Sequence, residues 1–193
     1  MIKYNTEWAI IYNTYQFYRR DMLDRMKAGF EKMNASKMHF GAKLVRGAYL
    51  EQERLRAQSL GYPDPIQPNK EATDRDYNKG VKFAMEHLAH FSICLGTHNE
   101  VSSKGLVELI QQYCYNKNVT RIFFAQLLGM SDNISFKLSD EGYNVAKYMP
   151  YGPLEQVMPY LFRRAEENTS VQGQSSRELM LIKKEIKRRK LKL

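Results

Sequence analysis

With 193 residues the chain is long enough to bury one sizeable hydrophobic core. Hydrophobic residues at 43% and charged residues at 26% place it with soluble globular chains, and no apolar run approaches the roughly 18 to 20 residues of a membrane span. The net charge is +9, but eight Lys or Arg against two Glu between Arg177 and Leu193 carry +6 of it. The basic surplus therefore belongs to the tail, where a solvated helix end is the expectation, and no nucleic-acid partner is expected.

Taken in chain order, strand-length apolar runs alternate with helical periodicities. Met1 to Thr6 is polar and runs straight into the first run, Trp8–Tyr15. No signal or transit pattern is legible in that start, and its abruptness leads us to expect further chain upstream. Helical spacing follows through Phe17, Leu23, Met26, Phe30 and Met33, and then a second run, Phe40–Tyr49. The next helical region has two pieces, around Glu51–Gln58 and Asp74–Ala89, parted by a Pro-rich loop from Gly61 to Pro68. Run three is Phe91–Thr97, followed by Leu106, Leu109, Ile110 and Tyr113 at helical spacing. Run four is Arg121–Leu128, after which the short stretch from Gly129 has room for a turn or two of helix. Run five is Asn144–Tyr148. At the end, Leu179, Ile182 and Ile186 mark an amphipathic basic helix docked by one stripe.

Strand and helix alternating five times predict parallel strands joined by crossover helices. No Gly-x-Gly-x-x-Gly follows any strand, which argues against a dinucleotide-binding sheet. Eight units of a (βα)8 TIM-type barrel take about 250 residues. Five units therefore predict a partial barrel over residues 1–173, with a basic C-terminal helix or tail over 174–193. Cys94 and Cys114 stand at no metal or redox spacing and are expected to be reduced core thiols. The four Asn-x-Ser/Thr triplets (Asn34, Asn118, Asn133, Asn168) are attributed to chance.

In such a barrel, chemistry gathers at the C-terminal ends of the strands, and the polar residues fall there. The strand ends carry Asn13-Thr14-Tyr15-Gln16, Lys43-Leu44-Val45-Arg46-Gly47-Ala48-Tyr49, Thr97-His98-Asn99, Gln126-Leu127-Leu128-Gly129-Met130 and Lys147-Tyr148. A strand interior buried on both faces should be apolar. Lys43 and Arg46 in such a run therefore need either a site or partners, for which Glu51 and Glu53 are the nearest acids in the sequence. Downstream, Tyr160, Arg163, Arg164 and Glu167 are spaced to crowd one face of a helix. Two adjacent guanidinium forks suit a carboxylate or a phosphate, although a solvated helix end with an Arg–Glu pair is the plain alternative. His87 and His90 lack a third ligand nearby, so no metal site is expected.

These pieces together resemble the proline dehydrogenase family, in order over nearly the whole chain to about Gly173. The specific runs are Lys43-Leu-Val-Arg46-Gly47-Ala-Tyr49 and Tyr160-Leu-Phe-Arg163-Arg164-Ala-Glu-Glu167-Asn168. Lys43 preceding Arg46 is similar to the eukaryotic, stand-alone branch. The resemblance implies a barrel holding FAD at the strand ends and oxidising L-proline to 1-pyrroline-5-carboxylate, with electrons passed to a quinone. It implies a mitochondrial location, on the matrix side of the inner membrane and in peripheral contact with it. Arg163 and Arg164 would clamp the proline carboxylate, with Tyr148, Tyr160 and Leu128 around the ring. Asn13, Lys43, Arg46, Gly47, Tyr49, Thr97, His98, Asn99, Gln126 and Glu167 would surround the flavin. The five units would be strands four to eight. The family's first three strands, with an Asp-Ala-Glu segment and a Lys, have no counterpart. An open half barrel exposes two sheet edges, and weak FAD retention by these 193 residues alone is the expectation. Two other readings stay open: a non-catalytic partial barrel acting as an interaction module, and a barrel enzyme acting on a phosphorylated substrate.

Overall fold

The computed structural model describes the backbone of residues 1, 3–170 and 174–190, and the side chains of these except 164–170, 174–178 and 190. Five strands form one sheet: β1 (Tyr12–Gln16), β2 (Phe40–Val45), β3 (Phe91–Gly96), β4 (Ile122–Leu127) and β5 (Val145–Tyr148). All neighbouring pairs are parallel, and their order in the sheet is their order in the chain. Between them lie α1 (Met22–Ala35), α2 (Leu50–Leu60), α3 (Lys70–Glu86), α4 (Glu100–Gln112) and α5 (Asp132–Asp140). Parallel crossovers are right-handed almost without exception. Strands laid down in one direction therefore put every crossover helix on the same face of the sheet. That is the winding of a barrel wall, whereas a doubly wound sheet must reverse its strand order.

The core lies on that helix-covered face. Phe40, Ala42 and Leu44 of β2, Phe91, Ile93 and Leu95 of β3, and Ile122 and Phe124 of β4 are all buried. Met26, Phe30 and Met33 of α1 join the same core, as do Tyr77, Val81, Ala84 and Met85 of α3, Leu106 and Ile110 of α4, and Ile134 and Leu138 of α5. The alternate residues of the strands face the other way: Gly41, Lys43 and Val45 of β2, Ser92, Cys94 and Gly96 of β3, and Phe123 and Leu127 of β4. In a flat sheet β2 and β5 would lie roughly 14 Å apart. The Lys43 Nζ nevertheless sits 5.4 Å from the centroid of the Tyr148 ring, so the uncovered face is concave.

Two strand boundaries differ from the sequence expectation. The first strand begins at Tyr12 rather than Trp8, and Trp8 and Ile10 are exposed. The cause is Asn5, fully buried, whose Oδ1 accepts from the backbone N–H of Ile10 and of Ile11 (3.1 and 2.9 Å) while its Nδ2 donates to the Ile11 carbonyl. A side chain thus takes the hydrogen bonds a ladder would need. The second strand stops at Val45, because Gly47 adopts φ +113° and turns the chain into α2. A Cβ on Gly47 would fall 1.7 Å from the Tyr18 ring, so only glycine fits here.

Helix α5 is longer than the turn or two expected, at nine residues. Cys114 is exposed rather than a core thiol. It takes the left-handed conformation (φ 55°) just past α4, where helices close with a residue of positive φ. Residues Met149–Leu193 form a second compact unit holding α6 (Leu154–Ser170) and α7 (Gln174–Lys190). On α7 the aliphatic stripe expected to be docked is about half exposed at Leu179, Ile182 and Ile186.

Replacing Gly47 by Ala forces both a left-handed alanine and displacement of the Tyr18 ring. We expect Gly47→Ala to lower unfolding free energy by about 2 kcal/mol or more in urea titrations. An unchanged midpoint would contradict the packing described.

Candidate active site at the strand C-terminal ends

Side chains alternate across a strand with period two, so residues three apart point to opposite faces. Lys43 and Arg46 are therefore separated by the sheet, although the sequence groups them. Lys43 lies on the concave face, level with Thr14 on β1 and Cys94 on β3. Its stem passes over Gly96: a Cβ there would lie 3.3 Å from the Lys43 Cε. The missing side chain on β3 lets the ammonium reach across to Tyr148. That ammonium lies 5.4 Å from the ring centroid, in cation–π range. Burial pushes the Cys94 pKa up, with Lys43 acting in the opposite sense.

Arg46 points to the helix-covered side and is enclosed. Its Nε donates to Asp74 Oδ1 (2.5 Å), Nη1 to Thr97 Oγ1 (2.9 Å) and Nη2 to Ser102 Oγ (2.9 Å), and its guanidinium carbon stacks 4.3 Å from the Tyr77 ring centroid. Ser102 Oγ in turn donates to Asn78 Oδ1 (3.0 Å). Asp74 also binds the Lys70 ammonium. Burial alone would raise the Asp74 pKa, but hydrogen bonds from Lys70 and Arg46 outweigh it and hold the carboxyl below its usual range. The Tyr77 hydroxyl is pushed well up by complete burial. Neither acid near in sequence serves Arg46. Glu53 instead accepts from Arg19 (2.8 Å) and from the Tyr18 hydroxyl (3.3 Å), and burial followed by the Glu53 charge moves the Tyr18 pKa up to about 12.

The rest of the rim is ordered by caps and loop bonds. Asn99 caps α4, its Oδ1 accepting from the Ser102 N–H (3.1 Å), while its own N–H donates to Thr97 Oγ1 (3.1 Å). His98 Nδ1 is 3.0 Å from Ser131 Oγ at the start of α5. Gln126 is 2% exposed and turned toward α5; its Nε2 donates to the Thr97 carbonyl (3.2 Å) and its Oε1 accepts from Ser135 (3.0 Å). Asn13 shares the helix-side register with Ala42 and Ile93 and bonds to Tyr15. Tyr49 stands at the N-cap of α2, partly exposed. Leu128 and Tyr148 leave 55% and 47% of their surface open at the rim, joined by a Leu128 N–H to Tyr148 carbonyl bond of 2.9 Å. Lys147 pins the β4–α5 loop, donating to the carbonyls of Leu127 and Met130 and to Asp132.

The strand ends thus bring together Lys43 and Tyr148 on the concave face, and Arg46, Thr97, His98 and Asn99 in one bonded rim. Asn13 and Gln126 lie on the helix side as supports. Sequence reasoning missed Asp74, Asn78, Ser102, Ser131 and Ser135, which hold the rim, and Gly96, which clears the way for Lys43. Tyr160 and Arg163 are partly buried on α6, which also carries Arg164 and Glu167; the side chains of these last two lie outside those described. Among the described residues no three potential ligands gather as a metal site.

The fold has counterparts among known proteins. A family model described as "Proline dehydrogenase" matches residues 1–177. Proline dehydrogenase 1, mitochondrial, of Caenorhabditis elegans is 42% identical over 194 residues, covering 98% of this chain and 32% of the relative. Hydroxyproline dehydrogenase of Homo sapiens is 40% identical over 185 residues, covering 94% of this chain and 40% of the relative. The chain thus spans about a third of the length of the curated relatives it matches first. Among solved structures, proline utilization A from Bdellovibrio bacteriovorus, inactivated by N-propargylglycine, superposes with a TM-score of 0.80 at 28% identity. That superposition covers 86% of this chain and 17% of the other. A family match that runs through all five strands and into the last helices, joined to the same fold in a solved relative, places this chain in the proline dehydrogenase family.

Proposed function

We infer that these strand ends serve the FAD-dependent oxidation of L-proline to 1-pyrroline-5-carboxylate, with electrons passed to a quinone. The observation that carries this reading is the Lys43 ammonium beside the Tyr148 ring on the concave face, opposite α1 to α5. The residues present fit a flavin. An ammonium and an aromatic ring flank a strip without side chain at Gly96, and the open apolar surfaces of Leu128 and Tyr148 adjoin it. A planar, electron-rich ring system needs such a combination of flat apolar contact and positive charge.

Lys43 would stand by the flavin ring, with Gly47, Tyr49, Thr97, His98 and Asn99 along the rim. Arg46, which spends three of its donors on Asp74, Thr97 and Ser102, would add fixed positive charge from behind the sheet. Asn13 and Gln126 would act from the helix side, Gln126 through the Thr97 carbonyl. When bound, FAD would take up the hydride equivalent and release the electrons to the acceptor. On the substrate side, Arg163 and Arg164 would clamp the proline carboxylate through paired N–H donors, with Glu167 three and four residues on holding the pair in place. Tyr148, Tyr160 and Leu128 would enclose the ring carbons. Relatives named mitochondrial support a mitochondrial location, and our proposal sets the protein on the matrix side, against the inner membrane.

Tyr148 carries the choice of proline over hydroxyproline, since dehydrogenases named for either substrate are about equally similar to this chain. A bulky phenol leaves no room for a ring hydroxyl, and burying that hydroxyl unpaired costs about 1–3 kcal/mol.

Two experiments test the reading, both in a polypeptide joining this sequence to the family's remaining strands. Arg164→Ala removes one partner of a desolvated charge pair, worth roughly 3–5 kcal/mol. At about 1.4 kcal/mol per tenfold, a carboxylate ligand should bind about a hundredfold more weakly or worse; a loss below about threefold would refute the clamp. Tyr148→Ser should bring kcat/KM for hydroxyproline closer to that for proline while lowering the latter. Equal efficiencies with Tyr148 intact would show that the ring contact does not set specificity.

A further inference from the structure

Ser131 opens α5 from a backbone conformation that serine rarely takes. Its φ of 51° and ψ of 43° lie in the left-handed region, where a Cβ crowds the following carbonyl. Among the described residues, Lys37 and Cys114 are the other non-glycines with positive φ. Both stand just past the end of a helix, α1 and α4, where a left-handed residue is the usual close. Ser131 stands at the start of one, where helices have no such habit.

A serine at this position ordinarily caps the helix, its hydroxyl accepting from a backbone N–H two or three residues on. Asn69 and Asn99 cap α3 and α4 in that way. Ser131 makes no such bond. Its carbonyl starts α5, accepting from the N–H of Ile134 and of Ser135 (3.0 and 3.1 Å), while its hydroxyl lies 3.0 Å from His98 Nδ1. The residue is 4% exposed, so the contact with His98 is shielded from water.

The surrounding loop enforces this arrangement. Lys147 donates to the Leu127 and Met130 carbonyls before Ser131 and to Asp132 after it. Ser135 Oγ donates to the Ser131 carbonyl (3.2 Å), and Asn133 Nδ2 donates to Glu100 Oε1 at the start of α4 (3.1 Å). Strain of this kind persists only where its surroundings over-determine it, and it gathers at functional sites. Here it gives the helix no side-chain cap. What it gives is a fixed imidazole, because a partner at Nδ1 sets both the tautomer and the direction of Nε2.

We propose that Ser131 is a positioning residue: its hydroxyl, held by the strained turn before α5, sets the tautomer of His98 and aims its ring at the flavin. This inference rests on the flavin reading of the strand ends, and Ser131 acts there only through His98.

The test compares Ser131→Gly with the parent in a polypeptide joining this sequence to the family's remaining strands. Glycine takes the positive φ without strain and removes the hydroxyl. FAD affinity, read by quenching of flavin fluorescence, should fall by about fivefold or more. The urea midpoint of the FAD-free protein should not fall, since the strain is relieved and no cap is lost. His98→Gln supplies the second arm: on that background Ser131→Gly should change FAD affinity by less than about twofold. FAD bound as tightly by Ser131→Gly as by the parent would overturn the inference and leave the flavin reading standing. A full loss persisting on the His98→Gln background would overturn it too, because Ser131 would then act by another route. A lowered midpoint in Ser131→Gly would show that the hydroxyl serves the fold, against the proposal. A parent that binds no FAD would overturn the flavin reading and this inference together.

Discussion

Helical cover on one side only is the constraint from which the rest of this fold follows. Strands in chain order place α1 to α5 against a single face, and there the chain spends its Phe, Ile, Leu and Met. The opposite face lies away from α1 to α5 and carries Lys43, Cys94 and Tyr148. Because side chains alternate along each strand, every residue at a strand end is committed to one role or the other by its parity. Lys43 faces the concave side. Arg46, three residues on, faces the helices.

That division explains how two cations coexist in a strand. A guanidinium taken out of water without partners would be costly. Arg46 meets the cost with a carboxylate, two hydroxyls and an aromatic face drawn from α3, β3 and α4. In doing so it ties the end of β2 to three other elements and fixes the Thr97 and Asn99 turn beside it. Lys43 needs no such cage, since its stem lies along Gly96 and its head stays near the open side of the Tyr148 ring. One cation thus serves the architecture, and the other is left on the concave face.

Much of this was legible in the sequence, and the failures have physical causes. Strands β2, β3 and β4 stand out because each is a compact apolar run buried on at least one face, and β5 stands out by its Val and Tyr although none of its residues is fully buried. The start of β1 was misplaced because Trp8 to Ile11 has strand composition, while the deciding bonds come from a single Asn5 side chain. The opposite facing of Lys43 and Arg46 follows from their spacing of three and needs no coordinates. Asp74 could not have been found as the partner of Arg46: the two stand 28 positions apart across a Pro-rich loop, and Glu51 and Glu53 are nearer in sequence. Cys114 reads as a core thiol by residue type, yet it sits where a helix ends in the left-handed region, a matter of backbone geometry that residue type does not report. The Arg163–Arg164 run was recognised by family resemblance, since an Arg–Glu helix end is common on its own.

The central claim is that the Lys43 side of the sheet, rather than the Arg46 side, faces a flavin. Its most direct test is FAD affinity, followed by quenching of flavin fluorescence, in a polypeptide joining this sequence to the family's remaining strands. Lys43→Met should weaken FAD binding by about tenfold or more, equivalent to ~1.4 kcal/mol, while leaving the far-ultraviolet circular dichroism of the folded protein unchanged. FAD bound as tightly by Lys43→Met as by the parent would contradict the account.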